Sequence, residues 1–252
     1  MLLTVDIGNT NITLGIFDDD IYVKEFRLAS DRDLSAQEYE VLINGLLENY
    51  KIDACIVASV VDELDEKIKN ALDKVLGLDS IFISYNMDLG IGIDADNPSE
   101  IGADRLANAA AVSYIKDKPV IVLDFGTATT FDIINSKGEF CGGIIAPGIK
   151  TQLKSLKSST SKLPIIEPAN SPCALAQNTQ DAILAGVIRG SACMVEGLIA
   201  QCEKELGQKA VIFATGGYCQ LISNYTSRKF DIVDPILTLK GLKAIYSRYK
   251  SL

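Results

Sequence analysis

Apolar and polar residues follow two different periods along this chain, and the change from one to the other happens twice. Leu2-Leu3-Thr4-Val5-Asp6 reads as a buried strand running into Gly8-Asn9-Thr10. Residues 11–17 alternate, with Ile12, Leu14 and Ile16 on one face. Asp18-Asp19-Asp20 predicts a turn, and Ile21 to Leu28 a third, antiparallel strand. The period then lengthens. Ser35-x-x-Glu38 forms a capping box ahead of Tyr39, Leu42, Ile43, Leu46, Leu47 and Tyr50 at helical spacing. A strand (Ala54 to Val60), a helix (Glu63 to Leu76, stopped by Gly77) and a short strand (Ser80 to Ser84) follow. Residues 85–101, rich in Gly, Asp, Asn and Pro, predict a loop, and Ala103 to Ile115 a helix of small residues.

The opening theme then returns. Val120-Ile121-Val122-Leu123-Asp124 is a second apolar strand ending in Asp-x-Gly, followed by strands at Thr127 to Ile134 and Glu139 to Ile145 around the turn Asn135-Ser136-Lys137-Gly138. A helix from about Ile149, a polar loop near residues 158–177 and a long helix from Asn178 to about Leu206 come next. Ala210 to Ala214 predicts a strand that ends at Thr215-Gly216-Gly217, and Leu237 to Tyr249 a last helix. The matching acids Asp6 and Asp124 lie 118 residues apart, a period that suits duplicated domains better than a solenoid. The expected division is residues 1–117 and 118–252, with the final helix free to pack back on the first domain.

Each Asp-x-Gly turn carries candidate chemistry. An apolar strand sets a carboxylate at its end, and the glycine two residues on lets the chain turn tightly beside a ligand oxygen. Asn9, Thr10, Thr127, Thr129 and Thr130 can donate to phosphate without adding charge. Asp6 and Asp124 would repel phosphate directly, so they make sense only through a cation or a bound water. No Gly-x-x-x-x-Gly-Lys-Ser/Thr loop is present, which excludes a P-loop enzyme. Gly102-Ala103-Asp104-Arg105 opens a helix. Asp104 there reads either as a cap or as a base beside an anion clamp, because a carboxylate with pKa ~3.9 is ionised at neutral pH and can take a hydroxyl proton late in phosphoryl transfer.

Composition narrows the chemistry further. With no histidine in 252 residues, Ser-His-Asp and Cys-His catalysis and His-ligated metals are excluded, so a general base must be a carboxylate or, less often, Lys, Tyr or Cys. A net charge of −9 argues against nucleic acid as a main partner. Hydrophobic residues at 48% and charged ones at 23% fit a folded protein. The six scattered cysteines contain no Cys-x-x-Cys pair and are expected as buried thiols in a reducing cytosol. Met1 leads straight into a strand, so no cleavable leader is expected. The apolar runs are broken by Asp, Gly or Pro, so no membrane span is expected.

Taken in order, Asp6-x-Gly8-Asn9-Thr10-Asn11, Asp96-Asn97-Pro98, Gly102-Ala103-Asp104-Arg105, Asp124-Phe125-Gly126-Thr127-Ala128-Thr129-Thr130, Gly142-Gly143-x-x-Ala146-Pro147-Gly148, Asn178-Thr179 and Ala214-Thr215-Gly216-Gly217 resemble the type III pantothenate kinases over nearly the whole chain. These belong to the acetate and sugar kinase, Hsp70 and actin superfamily. The resemblance implies an α/β fold of two duplicated ribonuclease H-like (actin-like ATPase) domains, each with a mixed five-stranded sheet flanked by helices. It implies ATP-dependent phosphorylation of pantothenate to 4′-phosphopantothenate, the first step of coenzyme A biosynthesis. Carried over by position, Asp6, Ile7, Gly8, Asn9, Thr10, Asn11, Ile12, Thr13 and Thr127 would contact ATP. Asp104 would be the general base, and Gly102, Ala103, Asp104, Arg105 and Thr179 would bind pantothenate. Asp124 would hold a monovalent cation, K+ or NH4+, and Mg2+ would accompany ATP. A cytoplasmic homodimer with the substrate site near its interface is also implied. Ala95 stands where family members commonly carry Tyr before Asp-Asn-Pro; Tyr85 is a candidate to compensate. Two other readings stay open: a non-catalytic regulatory protein of the Bvg accessory factor type, and a kinase for another small alcohol.

Overall fold

A computed structural model describes residues 1–250. Along the chain run β1 (Leu2–Ile7), β2 (Asn11–Asp18), β3 (Ile21–Ala29), α1 (Ala36–Leu47), β4 (Ala54–Ser59), α2 (Asp62–Leu76), β5 (Ile81–Phe82), β6 (Gly92–Ile93) and α3 (Ala103–Ala111). Then come β7 (Val120–Phe125), β8 (Ala128–Ile134), β9 (Glu139–Pro147), α4 (Ile149–Ser158), α5 (Thr179–Leu184), α6 (Gly190–Leu206), β10 (Val211–Thr215), α7 (Cys219–Ser223), β11 (Ile232–Val233) and α8 (Leu237–Tyr249). Two compact units result. The first holds Met1–Gly92, Asp96–Ser113 and the chain from Leu237 on, and the second holds Ile93–Ala95 and Tyr114–Ile236. The last helix thus joins the first unit.

The first unit has a five-stranded sheet in the order β3-β2-β1-β4-β5, antiparallel on one side of β1 and parallel on the other. Odd residues of β1 (Leu3, Val5, Ile7) meet Ile12, Leu14 and Ile16 of β2 in a core closed by Tyr39 and Ile43 of α1 and by Leu64, Ile68 and Leu72 of α2. The capping box forms as expected, with Ser35 taking the Glu38 N–H and Glu38 reaching back to the Ser35 N–H. Gly77 ends α2 in the left-handed region at φ 66°. Replacing Ser35 with Ala removes that cap, and the denaturation midpoint should then report a loss of about 1 kcal/mol without a change in activity.

The other face of this sheet is covered by α3 and α8, which pack on each other and on β4, with α8 also on β1. Small residues make that fit close. A Cβ on Gly241 of α8 would sit 1.9 Å from the Ala107 carbonyl oxygen of α3, and one on Gly15 of β2 would sit 2.7 Å from Leu239. Buried Asn108 accepts from Thr238 Oγ1 at 2.8 Å across the same helix pair. Residues 112–115, expected to continue α3, do not. Val112 and Ser113 donate to Ala109 and Ala110, so the last turn tightens and closes.

The second unit repeats the plan as β11-β10-β7-β8-β9-β6. It has six strands where five were expected, because Gly92–Ile93 adds an edge beside β9. Ile121, Leu123 and Phe125 of β7 face a core built with Ile149, Ile188, Val195 and Ile199. α5 and α6 are joined by a π-helical turn, Ala185–Arg189, into one continuous helix of 28 residues with mean hydropathy 1.6 over its most apolar window. The expectation that every apolar run is broken therefore fails on length and composition, because Gly186, Gly190 and Gly197 are absorbed without interrupting the helix. Ile183, Leu184, Val187 and Ile188 lie in the unit's core, which is the ordinary use of such a helix. All six cysteines are unpaired thiols, but only Cys55, Cys202 and Cys219 are buried; Cys193 is exposed on α6 between buried Ala192 and Val195.

Candidate active site

The first Asp-x-Gly turn is closed by its own backbone. The Gly8 N–H donates to the Asn11 carbonyl at 3.0 Å, and a Cβ on Gly8 would crowd that oxygen at 3.3 Å. Asp6 pairs in register with Thr13 on β2 and Ala58 on β4, which sets it on the sheet face that α3 and α8 cover. Asn9, Thr10 and Asn11 are exposed, whereas Ile7 and Ile12 are core residues at 0% and 1% exposure. Any ligand contact from those two isoleucines is therefore through backbone. The loop after β3 braces the turn: the Ser30 N–H donates to the Thr10 carbonyl at 3.1 Å, and its hydroxyl to the Gly8 carbonyl.

Gly102, Ala103, Asp104 and Arg105 form the start of α3 in the same unit. Gly102, at the N-cap, offers no side-chain acceptor, and the Asp104 carboxylate takes the Arg105 N–H at 2.7 Å instead. A Cβ on Gly102 would lie 2.6 Å from that carboxylate and 3.2 Å from Val60. Val60 in turn donates its N–H to the Ile7 carbonyl at 3.1 Å. Through Val60 the sequence thus brings Asp104 beside the first turn, 98 positions away in the chain. Burial pushes the Asp104 carboxyl above the usual carboxylate range, opposed by the Arg105 N–H and guanidinium. A carboxyl that is costly to ionise and already oriented by a backbone donor suits proton acceptance better than a cap alone would require.

In the second unit Asp124 lies opposite Thr130 on β8 and Thr215 on β10. The Gly126 N–H donates to the Ala128 carbonyl at 3.0 Å, the counterpart of the Gly8 bond. The Thr127 carbonyl accepts from the Gly148 N–H (3.1 Å) and Thr151 Oγ1 (2.7 Å). β10 leaves the sheet through Gly216 at φ 84°, where a Cβ would sit 2.3 Å from Asp124 Oδ1 and 2.6 Å from the Phe125 nitrogen. Only glycine fits there, on both conformational and steric grounds. Thr215 Oγ1 is buried without a hydrogen-bond partner on the face that bears Asp124. An unsatisfied buried hydroxyl near a carboxylate makes an all-oxygen donor set, which suits a hard cation. No cluster of three or more His, Cys, Asp or Glu that could hold a metal occurs among the described residues.

Thr179 is the first residue of α5, exposed, behind an N-cap in which Asn178 Oδ1 takes the Asp181 N–H at 2.9 Å. It borders a mainly apolar groove of about 730 Å³ with Thr151, Gln152, Leu163, Ile183 and Val187. Thr151 thus links this groove to the second turn. Sequence reasoning did not single out Thr151, the unpartnered Thr215 hydroxyl, or Arg32, whose Nη2 donates to Asn9 Oδ1 at 3.0 Å. The only early signal among these was the strand predicted to end at Thr215-Gly216-Gly217.

A family model described as type III pantothenate kinase matches residues 2–201. A type III pantothenate kinase from Moorella thermoacetica is 41% identical over 253 residues, covering 98% of this chain and 99% of that protein. One from Dehalococcoides mccartyi is 41% identical over 254 residues, covering 99% and 96%. Among solved structures, a Campylobacter jejuni protein described as a Baf family transcriptional activator superposes with TM-score 0.61 at 27% identity over 99% of this chain and 100% of that one. The activator of 2-hydroxyisocaproyl-CoA dehydratase from Clostridium difficile, solved with bound ADPNP, gives 0.55 at 12% identity over 99% and 96%, a likeness of fold alone. Two mixed sheets flanked by helices, repeated along the chain, are the actin-like ATPase architecture.

Proposed function

The chain belongs to the type III pantothenate kinase family, and on that premise we propose how its residues divide the transfer of the ATP γ-phosphoryl group to pantothenate. The reaction is the first step of coenzyme A biosynthesis. The observation that carries the proposal is Asp104, buried enough to raise its pKa, oriented by the Arg105 N–H and tied through Val60 to the first turn. Its carboxylate accepts the proton of the terminal pantothenate hydroxyl as that oxygen bonds to the γ-phosphorus. The bond from the γ-phosphorus to the β,γ-bridging oxygen breaks, and ADP leaves with that oxygen.

Gly8, Asn9 and Thr10 meet the ATP phosphates with backbone and side-chain donors, supported by Asp6, Asn11 and Thr13, while Ile7 and Ile12 contribute backbone only. Thr127 adds a contact from the second turn. Gly102, Ala103 and Arg105 bind pantothenate, the Arg105 guanidinium matching its carboxylate. Mg2+ bound with ATP, and K+ or NH4+ held by Asp124 with Thr215, would neutralise charge on the transferring phosphoryl group. The exposed Thr179 and its apolar groove support a homodimer in which Thr179 reaches a neighbouring substrate site, and a cytoplasmic setting fits six unpaired thiols.

A Baf-like regulatory role would not require Asp6, Asp104 and Asp124 together, and all three are retained. A coupled assay tests the reading. ATP-dependent formation of 4′-phosphopantothenate should rise with K+ over Na+, and Asp124→Asn should remove that difference. No turnover with K+ and Mg2+ present would reject pantothenate as substrate. An unchanged K+ response in Asp124→Asn would move the cation elsewhere.

A further inference from the structure

We infer that Arg32 is a further ATP-binding residue, a preset cation that engages the outer phosphates from the loop between β3 and α1; this rests on the first turn being the phosphate site. The turn itself presents amides, an amide side chain and hydroxyls but also Asp6, and Asp31, Asp33 and Glu63 lie in the neighbouring segments. An anionic ligand arriving there needs local positive charge. Arg32 brings it to the tip of the turn, where its Nη2 donates to Asn9 Oδ1 at 3.0 Å.

The loop that carries Arg32 is fastened from several directions. Ser30 bonds the Gly8 and Thr10 carbonyls, so loop and turn move as one piece. Behind it, the buried Tyr39 hydroxyl takes the Asp31 N–H at 2.9 Å and donates to the Asp31 carbonyl at 2.8 Å. Lys67 Nζ donates to the carbonyls of Arg32 itself at 2.7 Å and of Leu34 at 2.9 Å. The backbone of Arg32 is therefore fixed, and the ordering entropy of the loop does not fall on ligand binding.

The guanidinium, by contrast, is left available. Its side chain is 46% exposed and forms only a loose surface ion pair with Glu63, Nε to carboxylate 3.6 Å and beyond hydrogen-bond distance, with Glu63 itself 69% exposed. A planar fork with most donors unengaged, anchored by one bond to a phosphate-binding side chain, is suited to bidentate capture of phosphate oxygens. A surface arginine that only braced Asn9 would need no more than one donor, and a neutral amide would serve equally well.

That difference supplies the test. Steady-state kinetics of Arg32→Ala, Arg32→Gln and Arg32→Lys should show the ATP KM raised about tenfold or more in Ala and Gln and less in Lys, with the pantothenate KM unchanged. As competitive inhibitors, ADP should weaken in the Ala and Gln variants by a larger factor than AMP, because the cation acts on the outer phosphates. Recovery of wild-type ATP KM by Gln, or an equal loss for ADP and AMP, overturns the inference. An Asn9→Ala, Thr10→Ala double variant separates the two claims. If it leaves the ATP KM unchanged, the first turn is not the phosphate site; if it raises the KM while Arg32 variants do not, only the role of Arg32 falls.

Discussion

Asp104→Asn should lower kcat by about 10²–10⁴-fold and at the same time leave the protein at least as stable as wild type at neutral pH. The two effects have one cause. Burial raises the Asp104 pKa in the folded state, so the native protein binds this proton more tightly than the unfolded chain. Between the ordinary carboxylate value of about 3.9 and the raised one, stability falls as pH rises, and above that window the ionised carboxylate is held at a standing cost. Asn abolishes the charge but keeps an oxygen to accept the Arg105 N–H, so the cap survives. Thermal melts of the two proteins should diverge at neutral pH in favour of Asn and converge on acidification, where wild type takes up its proton. The acid limb of the wild-type kcat/KM profile should follow the same group and vanish from the residual activity of Asn. A variant with near wild-type turnover, or one markedly less stable at neutral pH, would remove Asp104 from the role of base.

The second large effect is expected at Gly241, far from any reacting atom. Alanine is the better helix former by about 0.8–1 kcal/mol, so Gly241→Ala should stabilise α8 considered alone. Here the added Cβ lands 1.9 Å from the Ala107 backbone oxygen, and backbone cannot move aside as a side chain can. Overpacking of this kind costs about 1–3 kcal/mol, and the helix displaced is α3, whose first turn carries Asp104. Positioning errors near 1 Å cost about 10²-fold, so kcat should fall along with the denaturation midpoint. Gly45→Ala in α1 is the control, because its Cβ would meet nothing within 4 Å and should stabilise without affecting turnover. If both substitutions stabilise, the contact between α3 and α8 has more room than described.

Local rules were legible from the residues themselves. The Ser35 capping box, the Gly77 stop and both strand-borne acids fall where pattern and turn chemistry put them. Elements of only a few residues, such as α7 and β11, carry too few apolar positions to show a period. The longest helix was legible in extent, but its apolar residues could not say whether they faced a core or a partner; Ile183, Leu184, Val187 and Ile188 face the core. Site residues divided in the same way. Asp6, Asp104 and Asp124 sit in local motifs. Arg32 meets Asn9 only because two loops converge, and the Thr215 hydroxyl is notable only because nothing hydrogen-bonds it after folding. Ile7 and Ile12 sit inside a motif by position, but alternation sends their side chains into the core.

That the first unit is assembled from both ends of the chain bears on how the protein is made. A ribosome delivers β1 to β5 and α3 well before Leu237–Tyr249, so the sheet face bearing Asp6 stays without α8 while the whole second unit is synthesised. The second unit, whose residues from Tyr114 to Ile236 are nearly contiguous, can close on its own during that interval. Contacts between α8 and β1 span at least 230 positions, and such distant pairings are slow to form. The half that holds Asp104 is thus the last to become solid. A nascent chain stalled before Leu237 would leave the sheet face bearing Asp6 without α8, an incomplete packing for chaperones or proteases to recognise.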